Sequence, residues 1–288
     1  MTPRSVAEFH VATGGTTMLE VMPAVLSESE LSQLRAAVRA LEGATLTSRL
    51  TNLLGKQVEM VGRSLPSAAR QIVANASESA LRGALRLALK TIDSGAPPQA
   101  ALGMHKALAA ASGAIGGAFG LAAVPIELPI STTIMLRSIA QIAREEGEDI
   151  SQPEAALACI EVFALGGRAQ SRSAADSSYF AIRGMLAKSV SESARFILQR
   201  GLADETAPVL VRLVTQIAAR FGVVVSEKIA AQAIPVLGAM GGAAVNAAFT
   251  EYFQTLARGH FIVRRLERLH GADVVRFEYE RLRNLIEG

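Results

Sequence analysis

Residues 107–136 contain one charged side chain, Glu127, and no other feature constrains the fold as much. Apolar surface on that scale must be covered by other helices or by lipid, because water does not tolerate it. The run is longer than the roughly 20 residues needed to cross a bilayer. Its texture argues against a plain span: Pro125 and Pro129 disturb helical hydrogen bonding, and Ser131, Thr132 and Thr133 add hydroxyls. Gly113/Gly117 and Gly116/Gly120 have the four-residue spacing that lets helix backbones approach closely. The same texture returns at residues 238–243, where Gly-Ala-Met-Gly-Gly-Ala parallels Gly-Ala-Ile-Gly-Gly-Ala at 113–118. The expectation is an all-α, multi-helix bundle with glycine-rich helical hairpins, in a soluble or peripheral protein. Re-entrant or spanning insertion of the run is the alternative.

The rest of the chain reads as helices. Ser27 and Glu30 have capping-box spacing, and Leu31, Leu34, Val38 and Leu41 then form one apolar stripe, with Gly43 as the stop. Helical stretches are expected at 45–65, 67–92, 130–146 (ending at Gly147), 155–165, 179–199, 207–220, 243–261 and 273–286. Ser151 and Glu154 suggest a second capping box. Val223-Val224-Val225 is strand-like only locally, since no regular alternation supports a sheet. The run Asp93-Ser94-Gly95-Ala96-Pro97-Pro98 is the best candidate boundary, dividing an N-terminal helical region (1–95) from a helical core (96–288).

Half the residues are hydrophobic but only 5% are aromatic, which excludes disorder and leaves a core built largely of small side chains. The 29 basic and 26 acidic residues are mixed along the chain, so no basic stripe points to nucleic acid. One cysteine, Cys159, makes no internal disulfide and fits a reducing compartment; among Leu157, Ile160 and Val162 it reads as a buried thiol. The first residues lack the pattern of a secretory signal, so a cytoplasmic protein is expected, peripheral to the inner face of the cell membrane.

The candidate functional residues are the polar ones in apolar surroundings. Glu127 needs a partner in a dry region, and a buried ion pair is expected, with Arg137 reachable only across a kink or hairpin. Glu161 lies between Ile160 and Val162, where helical geometry places it on the solvent face. Arg220, Glu227 and Lys228 suggest a local ion-pair and capping network. Asn246 suits a hydrogen bond across the glycine-packed interface, and His260 and Arg264, four apart, suggest an exposed basic edge. The four histidines have no metal-ligand spacing, and no glycine run ends in Gly-Lys-Ser/Thr, so neither a metal nor another cofactor is expected.

Several ordered blocks carry a resemblance: Gly113 to Gly120, Pro125-Ile126-Glu127-Leu128-Pro129, Leu136-Arg137-Ser138-Ile139-Ala140, Glu145-Glu146-Gly147-Glu148-Asp149 and Cys159 to Gly167. Arg220-Phe221-Gly222, Val225-Ser226-Glu227-Lys228, Pro235 to Asn246 and Arg264 to Gly271 complete it. Together, over about 90–275, the sequence resembles the EcsC protein family. Where related sequences carry a histidine near Glu251, this chain has Tyr252, which weakens any metal role for His260. The resemblance implies a helical, membrane-associated protein without an established reaction, whose namesake is encoded beside an ABC exporter. The expected partner is therefore a membrane surface or a membrane protein complex. Two other readings stay open: a soluble hydrolase-like enzyme using Glu127 or Glu161 near Arg137, and a soluble protein-interaction module.

Overall fold

Ser27 opens helix α1 (Glu28–Glu42) as its spacing to Glu30 predicts: its hydroxyl accepts from the Glu30 amide, and the Glu30 carboxylate accepts from the Ser27 amide. The computed structural model describes residues 26–43, 45–54, 66–94, 123–167, 178–200, 206–232 and 238–287. Eight further helices follow among them: α2 (Leu46–Leu54), α3 (Ser67–Ser94), α4 (Val124–Glu145), α5 (Pro153–Leu165), α6 (Tyr179–Arg200), α7 (Pro208–Gln232), α8 (Gly238–His270) and α9 (Ala272–Glu287). The described residues form an all-α bundle of nine helices.

Several boundaries differ from expectation, among them those of α8, which runs from Gly238 to His270 and not over 243–261. Helix α4 begins at Val124, not Ile130, and runs through Pro129. Pro125 sits in the first turn, where an amide has no helical acceptor, and Pro129 forgoes one bond; burial of Val124, Leu128 and Ser131 on the inner face offsets that loss. Ser151 does not cap α5: Gln152 holds the N-cap position, while the Ser151 amide and hydroxyl donate to Asp149 in a turn before it. Helix α7 continues through Val223-Val224-Val225, because Val224 and Val225 are wholly buried in the bundle. Gly147 (φ 78°) ends α4, and Gly271 (φ 88°) separates α8 from α9; both adopt the left-handed conformation that suits glycine.

Helix α8, about 50 Å long, packs against α1, α2, α4, α5, α7 and α9, while α3 packs against α4, α5 and α7. The centre is aromatic: Phe163 of α5, Phe221 of α7, and Phe249 and Phe253 of α8 meet with ring centroids 5.1–6.1 Å apart. Helix α5 is buried on nearly every side, Cys159 included, and burial pushes that thiol up to about 12.

Close approaches depend on absent side chains. A Cβ at Gly167 would lie 2.4 Å from the Arg220 carbonyl oxygen of α7, and one at Gly259 would lie 2.8 Å from Leu41 of α1. Of the glycine runs read in the sequence, residues 113–120 lie outside the described residues, and 238–242 form the start of α8, where Gly241 and Gly242 are buried. Gly167→Ala is expected to cost about 1–3 kcal/mol by forcing backbone apart. Gly83→Ala, with open space around it, is expected to gain about 0.5–1 kcal/mol. Urea midpoints of the two variants check both signs.

Candidate functional site

Helix α4 turns Glu127 inward, where it meets Lys228 of α7 and Asn246 of α8. Lys228 Nζ lies 2.8 Å from both carboxylate oxygens, and Asn246 Nδ2 donates to Oε1 at 3.1 Å. Side-chain exposure is 1% for Lys228 and 7% for Glu127. The ammonium also lies 4.8 Å from the centroid of Phe249, a cation–π contact. Desolvation pulls the Lys228 pKa below its ordinary value, and the Glu127 carboxylate opposes that pull. One helical turn apart along α8, Asn246, Thr250 and Gln254 are all buried, and Gln254 reaches Ser138 of α4 at 2.7 Å. The interface of α4 with α8 is therefore a polar seam inside an apolar bundle.

A second cluster joins α5, α6 and α8. Glu161 is not on a solvent face, as its helix position suggests, but is 5% exposed, because other elements surround α5. Desolvation raises its carboxyl to about 7, while Arg183 and Arg264 pull the other way. Among the described residues it has no hydrogen-bond partner. His260 is likewise wholly buried, which overturns the expected exposed basic edge. Desolvation first, then the charges of Arg183 and Arg264, hold its pKa well below the ordinary histidine value.

The hydrogen-bond pattern assigns the His260 tautomer. Arg183 can only donate, and it reaches the Tyr179 hydroxyl at 3.2 Å and Glu267 at 2.8 Å. The Tyr179 oxygen accepts from Arg183, and sending its own proton to His260 Nδ1, 3.0 Å away, is the arrangement that leaves the fewest buried groups unpaired. The neutral ring then carries its proton on Nε2, which is buried with no partner among the described residues. Arg264 makes a bidentate pair with Glu148, at 2.7 and 3.2 Å, and Arg268 also donates to Glu148. Desolvation would raise the Glu148 carboxyl, but these two arginines hold it below its ordinary value.

The remaining candidates stand apart. Arg137 is exposed on α4 and, among the described residues, pairs with neither Glu127, which is taken up by Lys228, nor Glu161. Arg220, Glu227 and Lys228 make no local network. Lys228 turns to Glu127, Glu227 is hydrogen-bonded to Thr47 and raised to about 7 mainly by desolvation, and Arg220 is half-buried with its pKa lowered by desolvation. Among the described residues no group of three or more His, Cys, Asp or Glu side chains is placed to hold a metal ion.

This arrangement lies within residues 27–266, the stretch that matches the model of the EcsC protein family. The chain belongs to the EcsC family. Neither the curated proteins nor the solved structures contain a match to it. Of the described EcsC helices, α7 alone is long and apolar enough to cross a membrane by length and composition, and 44% of its apolar window is buried inside the bundle.

Sequence reading misses Tyr179, Arg183, Glu148 and Glu267 as members of the second cluster. Tyr179 and Arg183, four apart at the start of α6, offer a faint helical-spacing signal, and Glu148 lies in one of the blocks that carry the family resemblance. Nothing local places Tyr179, Arg183 and Glu148 beside α8, since their partners on it are more than eighty residues away in sequence.

Proposed function

We propose that this EcsC-family protein is a cytoplasmic helical scaffold that associates peripherally with a membrane or a membrane protein complex. The observation that carries the reading is the fate of Glu127. The single charge in residues 107–136 is turned inward and neutralised by Lys228, while Ile126 and Ile130 of the same helix stay 72% and 49% exposed. With that charge cancelled internally, residues 123–136 present an uncharged surface, which suits lipid or an apolar partner better than water. Arg137, exposed and outside any ion pair among the described residues, is free to meet anionic groups, whereas Arg264 is taken up by Glu148.

Cell fractionation with a high-salt wash, followed by flotation of the purified chain with liposomes, tests the proposal. Retention in the membrane fraction and flotation are expected. A protein that is wholly soluble and also fails to float would overturn it.

A second reading, a soluble hydrolase-like enzyme, rests on Glu161 and His260. A buried carboxyl raised to about 7 and a neutral imidazole with an unpartnered N–H lie in the field of the same two arginines, as acid–base groups do. In that case Glu161→Gln abolishes turnover of a model ester without lowering the melting temperature. An ester left untouched by the parent protein removes this reading.

A further inference from the structure

Helix α4 sorts its first turns sharply. Val124, Glu127, Leu128 and Ser131 face the bundle and are buried, whereas Pro125, Ile126 and Ile130 are not covered by it. At 100° per residue, Ile126, Ile130, Thr133 and Arg137 fall within about 60° of one another, on a single outer stripe. The stripe carries no carboxylate before Arg137, because Glu127 points away from it to Lys228. Arg137 lies about 16 Å along the axis from Ile126, and among the described residues it has no ion-pair partner.

We propose that this outer stripe of α4 is the surface that contacts lipid, with Ile126 and Ile130 entering the boundary between headgroups and acyl chains and Arg137 meeting lipid phosphate. The proposal rests on the membrane-association reading and names the contact within it. Lipid is the occupant that fits. Two isoleucines and a proline are too small a patch for a stable protein interface. An apolar helix face with a basic residue beyond it is the pattern of reversible docking on an anionic bilayer. Residues 107–122, which lead directly into α4, contain no charge that would repel the stripe from a bilayer.

The chain has no tryptophan, so Ile126→Trp in the full-length protein gives a single reporter. Phosphatidylcholine vesicles with and without phosphatidylglycerol serve as the probe, and Phe277→Trp on the exposed face of α9 is the control. Emission of the Ile126→Trp variant is expected to shift to the blue on adding vesicles and to be quenched by brominated acyl chains, while emission of the Phe277→Trp variant stays unmoved. Ile126→Glu and Ile130→Glu are each expected to weaken flotation roughly tenfold, and Arg137→Glu to weaken it on the anionic vesicles only. All three glutamate positions are exposed, so unchanged melting curves separate lost docking from lost folding. An Ile126→Trp chain that floats while its emission stays unshifted overturns the stripe and leaves membrane association standing. Emission already shifted to the blue without vesicles means that the chain itself covers the stripe, which also overturns it. Failure of the parent chain to float on either vesicle removes the membrane reading, and the stripe with it.

Discussion

Lys228→Met is expected to lower the stability of the fold by about 3–5 kcal/mol, the usual cost of stranding one member of a buried ion pair. Methionine fills much of the lysine's volume but leaves the Glu127 carboxylate, 7% exposed, with Asn246 Nδ2 as its remaining close donor in the cluster. The penalty is the desolvation of an unmatched charge, not the loss of the attraction itself. For that reason the double variant Glu127→Leu/Lys228→Met is expected to recover most of the loss, because an apolar pair of similar volume removes both desolvation costs together. Urea unfolding at constant slope measures both. A Lys228→Met variant within about 1 kcal/mol of the parent would mean that Glu127 reaches water and that α4 does not keep its charge inside the bundle.

Glu161→Met is expected to stabilise the protein at alkaline pH. The Glu161 carboxyl has an ordinary value of 4.5 and is raised to about 7 in the fold. Between those values the folded chain keeps a proton that the unfolded chain has lost, so stability falls as pH rises through the window. Above it the full penalty, on the order of 3 kcal/mol, is in place. Removing the carboxyl lifts that penalty at alkaline pH and changes little below the carboxyl's ordinary value. Glu227 is raised to about 7 as well, so the variant retains part of the slope. His260 acts in the opposite sense. Its folded value lies well below 6.5, so its stabilising contribution is complete above 6.5 and is lost as pH falls below it. Parent stability is therefore expected to decline on both sides of mildly acid pH, with Glu161→Met flattening the alkaline side only. Chemical denaturation at a series of pH values resolves the two limbs; an alkaline limb identical in parent and variant would refute the assignment to Glu161.

Local physics makes much of this protein legible from sequence. The capping box at Ser27 and Glu30, the stop at Gly147 and the buried Cys159 follow from interactions within a few residues, which the chain order states directly. The need of Glu127 for a partner also follows, since a charge alone in an apolar run is too costly to leave unpaired. The identity of that partner does not follow: Lys228 is 101 residues away, and its sequence neighbours Arg220 and Glu227 point elsewhere. Periodicity misplaces Glu161 and His260 for the same reason. It says which residues share a face, but α5 and α8 are covered on several faces, so the expected outward side is interior. Pro129 marks a boundary by local rules, and packing of the α4 inner face overrides it.

Chain order alone therefore specifies the helix-forming segments, the cap at Ser27 and the scarcity of charge around Glu127, because each depends on neighbours a few residues apart. Which polar groups meet, and which face of α4 stays bare, is settled only in three dimensions, because burial and pairing depend on what other helices bring across the gap.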